Sequence, residues 1–180
     1  MKKPSLTKLI QILDKPALIG WANKQGLMGI DISFDRIKKL NAGTDIHKQI
    51  ELYIKDGFPF KEAEDQVNCE KFLLKYEIMD IEKKIETDYF KGRLDVKFKC
   101  KNTGKIYLGD FKRRCKKVYL EHRLQLAAYS MAEPCDGLMI IGVPEFKEFD
   151  LKIDNLLPYY EIIKSLHTIY INKNIIENGI

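Results

Sequence analysis

The hydrophobic period of the chain changes twice, and those changes divide it into elements. Up to about Gly26 apolar residues recur in two short helical pieces, with Pro16 as the break between them. After Gly43 and Thr44, the segment DIHKQIELYI puts Ile46, Ile50, Tyr53 and Ile54 on one stripe at helical spacing, with Thr44 as N-cap and His47 beside the stripe. The turn-like GFPF at Gly57 to Phe60 leads into residues 61–75, where Val67, Phe72 and Leu73 among charged positions predict another helix.

At Tyr76 the period shortens. YEIMDIEKKIE, GRLDVKFKC and KIYLGDF read as three strands, with NTGK as the turn between the last two, an antiparallel meander. Helical spacing returns from Tyr119 to about Ala132, with Leu120, Leu124, Ala127, Ala128 and Met131 on the inner face. GLMIIGV then has the uninterrupted apolar character of a buried strand, and an amphipathic helix near Asn155 to Asn172 follows. Helices, three strands, helix, strand and helix in that order predict an α/β fold, a central mixed sheet flanked by helices.

At 180 residues and 45% hydrophobic, the chain suits one domain over 1–180 and leaves little for a second core. Its 31 Lys plus Arg against 26 Asp plus Glu give a mild +5, so bulk charge by itself names no partner. The distribution says more, because Lys112, Arg113, Arg114, Lys116 and Lys117 crowd into one short run broken only by Cys115. Cys69, Cys100, Cys115 and Cys135 have neither CxxC spacing nor a suitably placed His, which argues against a zinc site or disulfide framework and for reduced thiols in a cytoplasmic protein. Lys8, Gln11 and Asp14 interrupt the first apolar run, unlike a secretory signal, and no segment is apolar enough to span a bilayer, so no membrane partner is expected. Gly104-Lys105 lacks the rest of a P-loop, so no ATP site is expected either. Trp21 reads as a core residue rather than a stacking platform.

Two acids interrupt otherwise apolar strands, Asp95 in GRLDV and Asp110 in GDFK. Converging carboxylates are what a hard divalent cation needs, and phosphodiester hydrolysis uses such an ion to deliver hydroxide and to neutralise the reacting phosphate. Asp110 and Lys112 are two apart on a strand and therefore share a face. An even-numbered loop at NTGK sets Asp95 opposite Lys112 and Lys97 opposite Asp110, whereas an odd one throws Asp95 to the other face. A lone D-x-K reads as strand-end turn chemistry; the pairing with Asp95 is what makes it a candidate site.

In order and spacing these motifs resemble the PD-(D/E)XK nuclease superfamily, in particular its RecB-like exonuclease branch, which includes the mitochondrial genome-maintenance exonuclease and the CRISPR adaptation nucleases. The likeness runs from about Ala17 to Tyr129. Gly43, Thr44 and His47 match a helical motif, Gly92 to Asp95 a G-x-x-D strand, Asp110 to Lys112 the D-x-K strand, and Gln125 with Tyr129 a helical Q-x-x-x-Y. The resemblance implies a restriction-endonuclease-like core in which His47, Asp95, Asp110 and the backbone carbonyl of Phe111 hold Mg²⁺ or Mn²⁺. Lys112 would position the attacking water or stabilise the transition state. Glu82, better spaced before Gly92 than Glu86, would be the upstream acid, and Gln125 and Tyr129 would support the site or touch the DNA strand. Arg113, Arg114, Lys116 and Lys117 would grip phosphates.

The chain departs from that pattern in two places. Arg113 and Arg114 stand where relatives carry Thr or Ser after the lysine, and the grouped cysteines of the iron-sulfur relatives are absent. The activity implied is a metal-dependent deoxyribonuclease, an exonuclease on DNA ends or single strands in replication, recombination or repair, of the stand-alone kind phages encode. A junction-resolvase-like endonuclease and a non-catalytic DNA-binding module are the alternatives. Neither a homo-oligomer nor a recombination-protein partner is specified by the pattern.

Overall fold

β1 (Tyr76–Glu86), β2 (Lys91–Cys100), β3 (Ile106–Arg113), β4 (Gly137–Val143) and β5 (Lys147–Asp150) hydrogen-bond side by side in that order. In this computed structural model residues 3–13, 16–29 and 45–178 are described, without the side chains of 16–21. The motif residues Gly43 and Thr44 and the Trp21 side chain therefore lie outside the described residues. The helices are α1 (Leu6–Ile10), α2 (Pro16–Leu27), α3 (45–56), α4 (Ala63–Lys75), α5 (Leu120–Tyr129) and α6 (Leu157–Asn178). All strand pairs are antiparallel except β3 with β4, which are parallel and joined through α5. A hairpin cannot link parallel neighbours, so a crossover is required there. Among the described residues no helix is long and apolar enough to cross a membrane.

The expected α/β architecture, a mixed sheet flanked by helices, is observed, with differences at the margins. β5 has no counterpart in the sequence reading: KEFD is short and charged at both ends, an edge strand without an apolar signature. Pro16 is the first residue of α2, a position where its missing N–H costs nothing, so the break falls before it. α5 stops at Tyr129 rather than Ala132, and the Ser130 hydroxyl donates back to the Ala127 carbonyl at 2.8 Å. Leu120 is exposed, and Leu126 takes a place in the core instead. α6 continues past Asn172 to Asn178, where Asn174 and Asn178 donate to the carbonyls of Tyr170 and Asn174 one turn back.

Both faces of the sheet are covered. Leu94, Leu108 and Ile140 pack with Leu6 and Leu9 of α1, Leu124 of α5 and Ile163 of α6. Val96, Phe98, Phe111 and Ile141 pack with Ile46 and Ile50 of α3 and Phe72 of α4. Leu94 and Val96 are two apart on β2 yet join opposite cores, so strict alternation fails at Asp95. Across from it in β1, Glu82 adopts φ 54°, a left-handed conformation rare for a residue with a side chain, and the register shifts between Ile78 and Asp80.

The β2–β3 pairing differs from the one expected. Lys97 lies opposite Leu108 and Val96 opposite Gly109, so Asp95 and Asp110 are the next residues beyond the last pair. The reason is in the turn. Cys100 donates to the Lys105 carbonyl at 2.8 Å, and Gly104, with φ +73°, ends the loop instead of sitting within it. This is a slip of two positions, which preserves the face.

Two features outside the acids fix the neighbourhood of the site. Gly92 leaves room for the Tyr129 ring: a Cβ there would sit 2.8 Å from Tyr129 Cε1. Gly92→Ala is therefore expected to cost about 1–3 kcal/mol in urea unfolding, and a neutral result would show that the ring has space to move. In the connection between α5 and β4, Glu133 takes the ammonium groups of Lys97 at 2.9 Å and Lys83 at 3.0 Å. Burial raises the Glu133 carboxyl, but the two lysines outweigh it and hold it below its ordinary value. Its contribution is complete above the unfolded-chain value of about 4.3 and fades as pH falls through the lower folded value. Glu133→Gln should lose about 1–3 kcal/mol at pH 7 and flatten the acid limb of the stability profile; an unchanged acid limb would remove the network from the account.

Candidate active site

The candidate residues come together from five elements where the β2–β3 pairing stops. His47 comes from α3, Glu82 from β1, Asp95 from β2, Asp110 and Lys112 from β3, and Gln125 and Tyr129 from α5. Donor atoms of His47, Glu82 and Asp95 all lie within 4.8 Å of one another. His47 Nδ1 is 3.7 Å from Asp95 Oδ2, and that same oxygen accepts from the Phe111 N–H at 2.9 Å.

Asp110 stands beside this group. It is the one charged residue that is fully buried among the described residues, and neither of its carboxylate oxygens has a hydrogen bond. Lys112 Nζ lies 2.6 Å from Asp110 Oδ2 in an ion pair, and also reaches Gln125 Oε1 at 3.5 Å. A buried carboxylate so poorly solvated is costly unless something else supplies positive charge.

The titration behaviour reports the same deficit. Burial first, and then the neighbouring Asp110 charge, push the Asp95 carboxyl well above its ordinary value, although Lys112 and the Phe111 N–H oppose them. Burial also raises Glu82 against the pull of Arg93. Burial and then Lys112 lower the His47 imidazole, which leaves it neutral near pH 7 with a lone pair to give. Burial alone would lower Lys112, but Asp110 and Asp95 outweigh it and keep the ammonium charged. The Tyr129 hydroxyl is held up at about 12 by burial, with Gln125 as a hydrogen-bonding neighbour that opposes the shift. Oxygen-rich donors, one neutral imidazole and repelling acids fit a hard divalent cation, which would relieve the repulsion on binding.

The sequence-predicted set is thus largely gathered, with two rearrangements. Glu82 joins the three-donor cluster while Asp110 pairs with Lys112, and Glu86 instead bonds Lys3 at 2.9 Å. Phe111 presents its N–H to Asp95 and its ring to His47, with centroids 5.8 Å apart. Arg113 and Arg114 line a separate cavity of about 330 Å³ together with the acids Asp45, Glu62, Asp65 and Glu145. Lys116 and Lys117 lie in the loop before α5, where Lys117 Nζ is 5.8 Å from the centre of the Tyr119 ring. Sequence reasoning missed Arg93, whose Nε sits 2.6 Å from Glu82 Oε2. A cation inside the G-x-x-D motif was the available signal.

A scan of family models and a search of curated proteins return no match to this chain. Its chemistry therefore rests on the residues themselves.

If the donors hold a divalent ion, the folded state gains stability by mass action. Millimolar Mn²⁺ should raise the melting temperature on the order of 5–10 °C at a hundredfold excess over Kd. Asp95→Ala and Glu82→Ala should each erase that rise. An equal rise in both variants would place the bound ion elsewhere.

Proposed function

We propose that this chain is a Mg²⁺- or Mn²⁺-dependent DNA nuclease of the PD-(D/E)XK type on a restriction-endonuclease-like core, acting on DNA ends or single strands. The observation that carries the reading is the buried Asp110 carboxylate without a hydrogen bond, next to Asp95 and in contact with the Lys112 ammonium. A structural ion pair has no use for a second acid whose charge bears on it. A site that must bind a divalent cation does.

His47, Glu82 and Asp95, with Asp110 beside them, would hold the ion, and the bound ion supplies Lewis acidity toward a phosphate and a more acidic water. The protein's own part is positional. Lys112, kept charged by its two acid neighbours, points a donor to where negative charge builds on a phosphate oxygen during in-line attack. Gln125 steadies Lys112, and Tyr129, packed over Gly92, steadies Gln125. The run Arg113, Arg114, Lys116 and Lys117 would contribute phosphate contacts from the end of β3 and the loop after it, in company with the acids around the two arginines.

Labelled linear and circular DNA, single- and double-stranded, incubated with Mn²⁺ or with EDTA, tests this directly. Cleavage is expected only with metal. Asp95→Ala, Asp110→Ala and Lys112→Ala should each lower it by about 10²–10⁴-fold while DNA affinity changes little. Cutting of closed circles would assign endonuclease rather than exonuclease action. No product from any substrate with Mn²⁺ present would leave only the non-catalytic binding module.

A further inference from the structure

Two grooves flank the site and meet at Thr7 and Gln125, which line both. One encloses about 580 Å³ and leads from Lys84 and Lys91 past Arg93 to Asp95. The other encloses about 240 Å³ and continues from Lys112 to Tyr119 and His122. The path therefore crosses the reacting groups from a cationic arm to an aromatic one.

The cationic arm is held on β1 and β2, and Glu86, which also lines it across from Lys91, is engaged by Lys3 at 2.9 Å. Lys91 is tied by its N–H to the Pro4 carbonyl at 3.0 Å, and among the described residues neither Lys84 nor Lys91 has a carboxylate at ion-pair distance. Arg93 bonds Glu82 but its side chain is 65% exposed. On the other arm Tyr119 is 55% exposed. It is held edge-on to His122, with ring centroids 5.5 Å apart at 85°, and Lys117 Nζ hangs 5.8 Å from its centre. An aromatic ring oriented by two neighbours and more than half exposed, in the same groove as Lys112 and Glu121, suits a stacking base, because little further ordering is needed. Only an unpaired base can offer its face in that way.

We infer that this path takes a single DNA strand, with phosphates against Lys84, Lys91 and Arg93 and a base beyond Lys112 stacked on Tyr119. The choice of DNA rests on the nuclease reading above; the single-strand geometry rests on the groove.

Binding measured in EDTA, by fluorescence anisotropy, separates the two. Labelled oligothymidylate is compared with a strand of equal length and charge made of abasic units, and with the oligothymidylate-oligoadenylate duplex. Wild type should bind oligothymidylate about tenfold more tightly than the abasic strand, and more tightly than the duplex. Tyr119→Ala should erase that preference and Tyr119→Trp should keep it. Lys84→Gln combined with Lys91→Gln should weaken both single strands alike and lower the salt slope by roughly 1.4. Equal affinity for base-bearing and abasic strands, a preference that survives Tyr119→Ala, or tighter binding of the duplex overturns the inference. Cleavage with Mn²⁺ is read separately: base-dependent binding without cleavage upholds the groove and removes the catalysis, and cleavage without base dependence does the opposite.

Discussion

Two carboxylates where the β2–β3 pairing stops, Asp95 and Asp110, share a space from which water is largely excluded and have one ammonium group between them. Like charges so placed repel strongly, and burial denies them the solvent that would screen the repulsion. Asp95 records the strain as a raised carboxyl, and Asp110 records it as two oxygens without hydrogen bonds. Lys112 cannot compensate both, because its contact is with Asp110 Oδ2. The rest of the neighbourhood is arranged around that imbalance: the Phe111 N–H on Asp95, the neutral imidazole of His47, and Arg93 across Glu82.

The sheet makes this crowding possible by ceasing to be regular at that point. A continuous ladder would fix each side chain strictly to one face. Here the β2–β3 pairs end at Val96 and Gly109, Leu94 and Val96 enter opposite cores, and Glu82 takes a left-handed backbone conformation in β1. These irregularities occur together across adjacent strands. A left-handed glutamate costs on the order of 1–3 kcal/mol unless its surroundings compensate, and the surroundings present are the donor cluster and Arg93. The strain lies where a binding site would make use of it.

How much of this was legible in the sequence follows from which properties are local. Periodicity is local, so the three meander strands, the β4 strand and the helix carrying His47 were readable, as was the shared face of Asp110 and Lys112. The parity of the β2–β3 turn was left open and its register was not readable, because Gly104 belongs at the end of the loop and the sequence NTGK does not say so. A slip of two positions exchanged the partner of Asp95 without moving its face, which is why the constellation survived an incorrect pairing. The choice of Glu82 over Glu86 was made on spacing, whereas what brings Glu82 inward is a backbone twist that no single residue announces. Arg93 escaped notice because its meaning depends on a partner in another strand.

The site is also unfinished on either face of the sheet alone. His47 arrives with α3 and the core around Phe111 and Ile141, while Gln125 and Tyr129 arrive with α5 and the core around Leu94 and Ile140. Each core positions one half of the machinery, and Lys112 touches both, through Asp110 on its own strand and Gln125 across the crossover. Assembly of the charged cluster is therefore a consequence of packing both layers, so the acids cannot be brought into mutual repulsion until apolar burial on both faces is available to offset it. The order of dependence runs from core to site. A fold that needed its acids for stability would have buried them with partners; this one buries them short of partners, which is the condition for a ligand to matter.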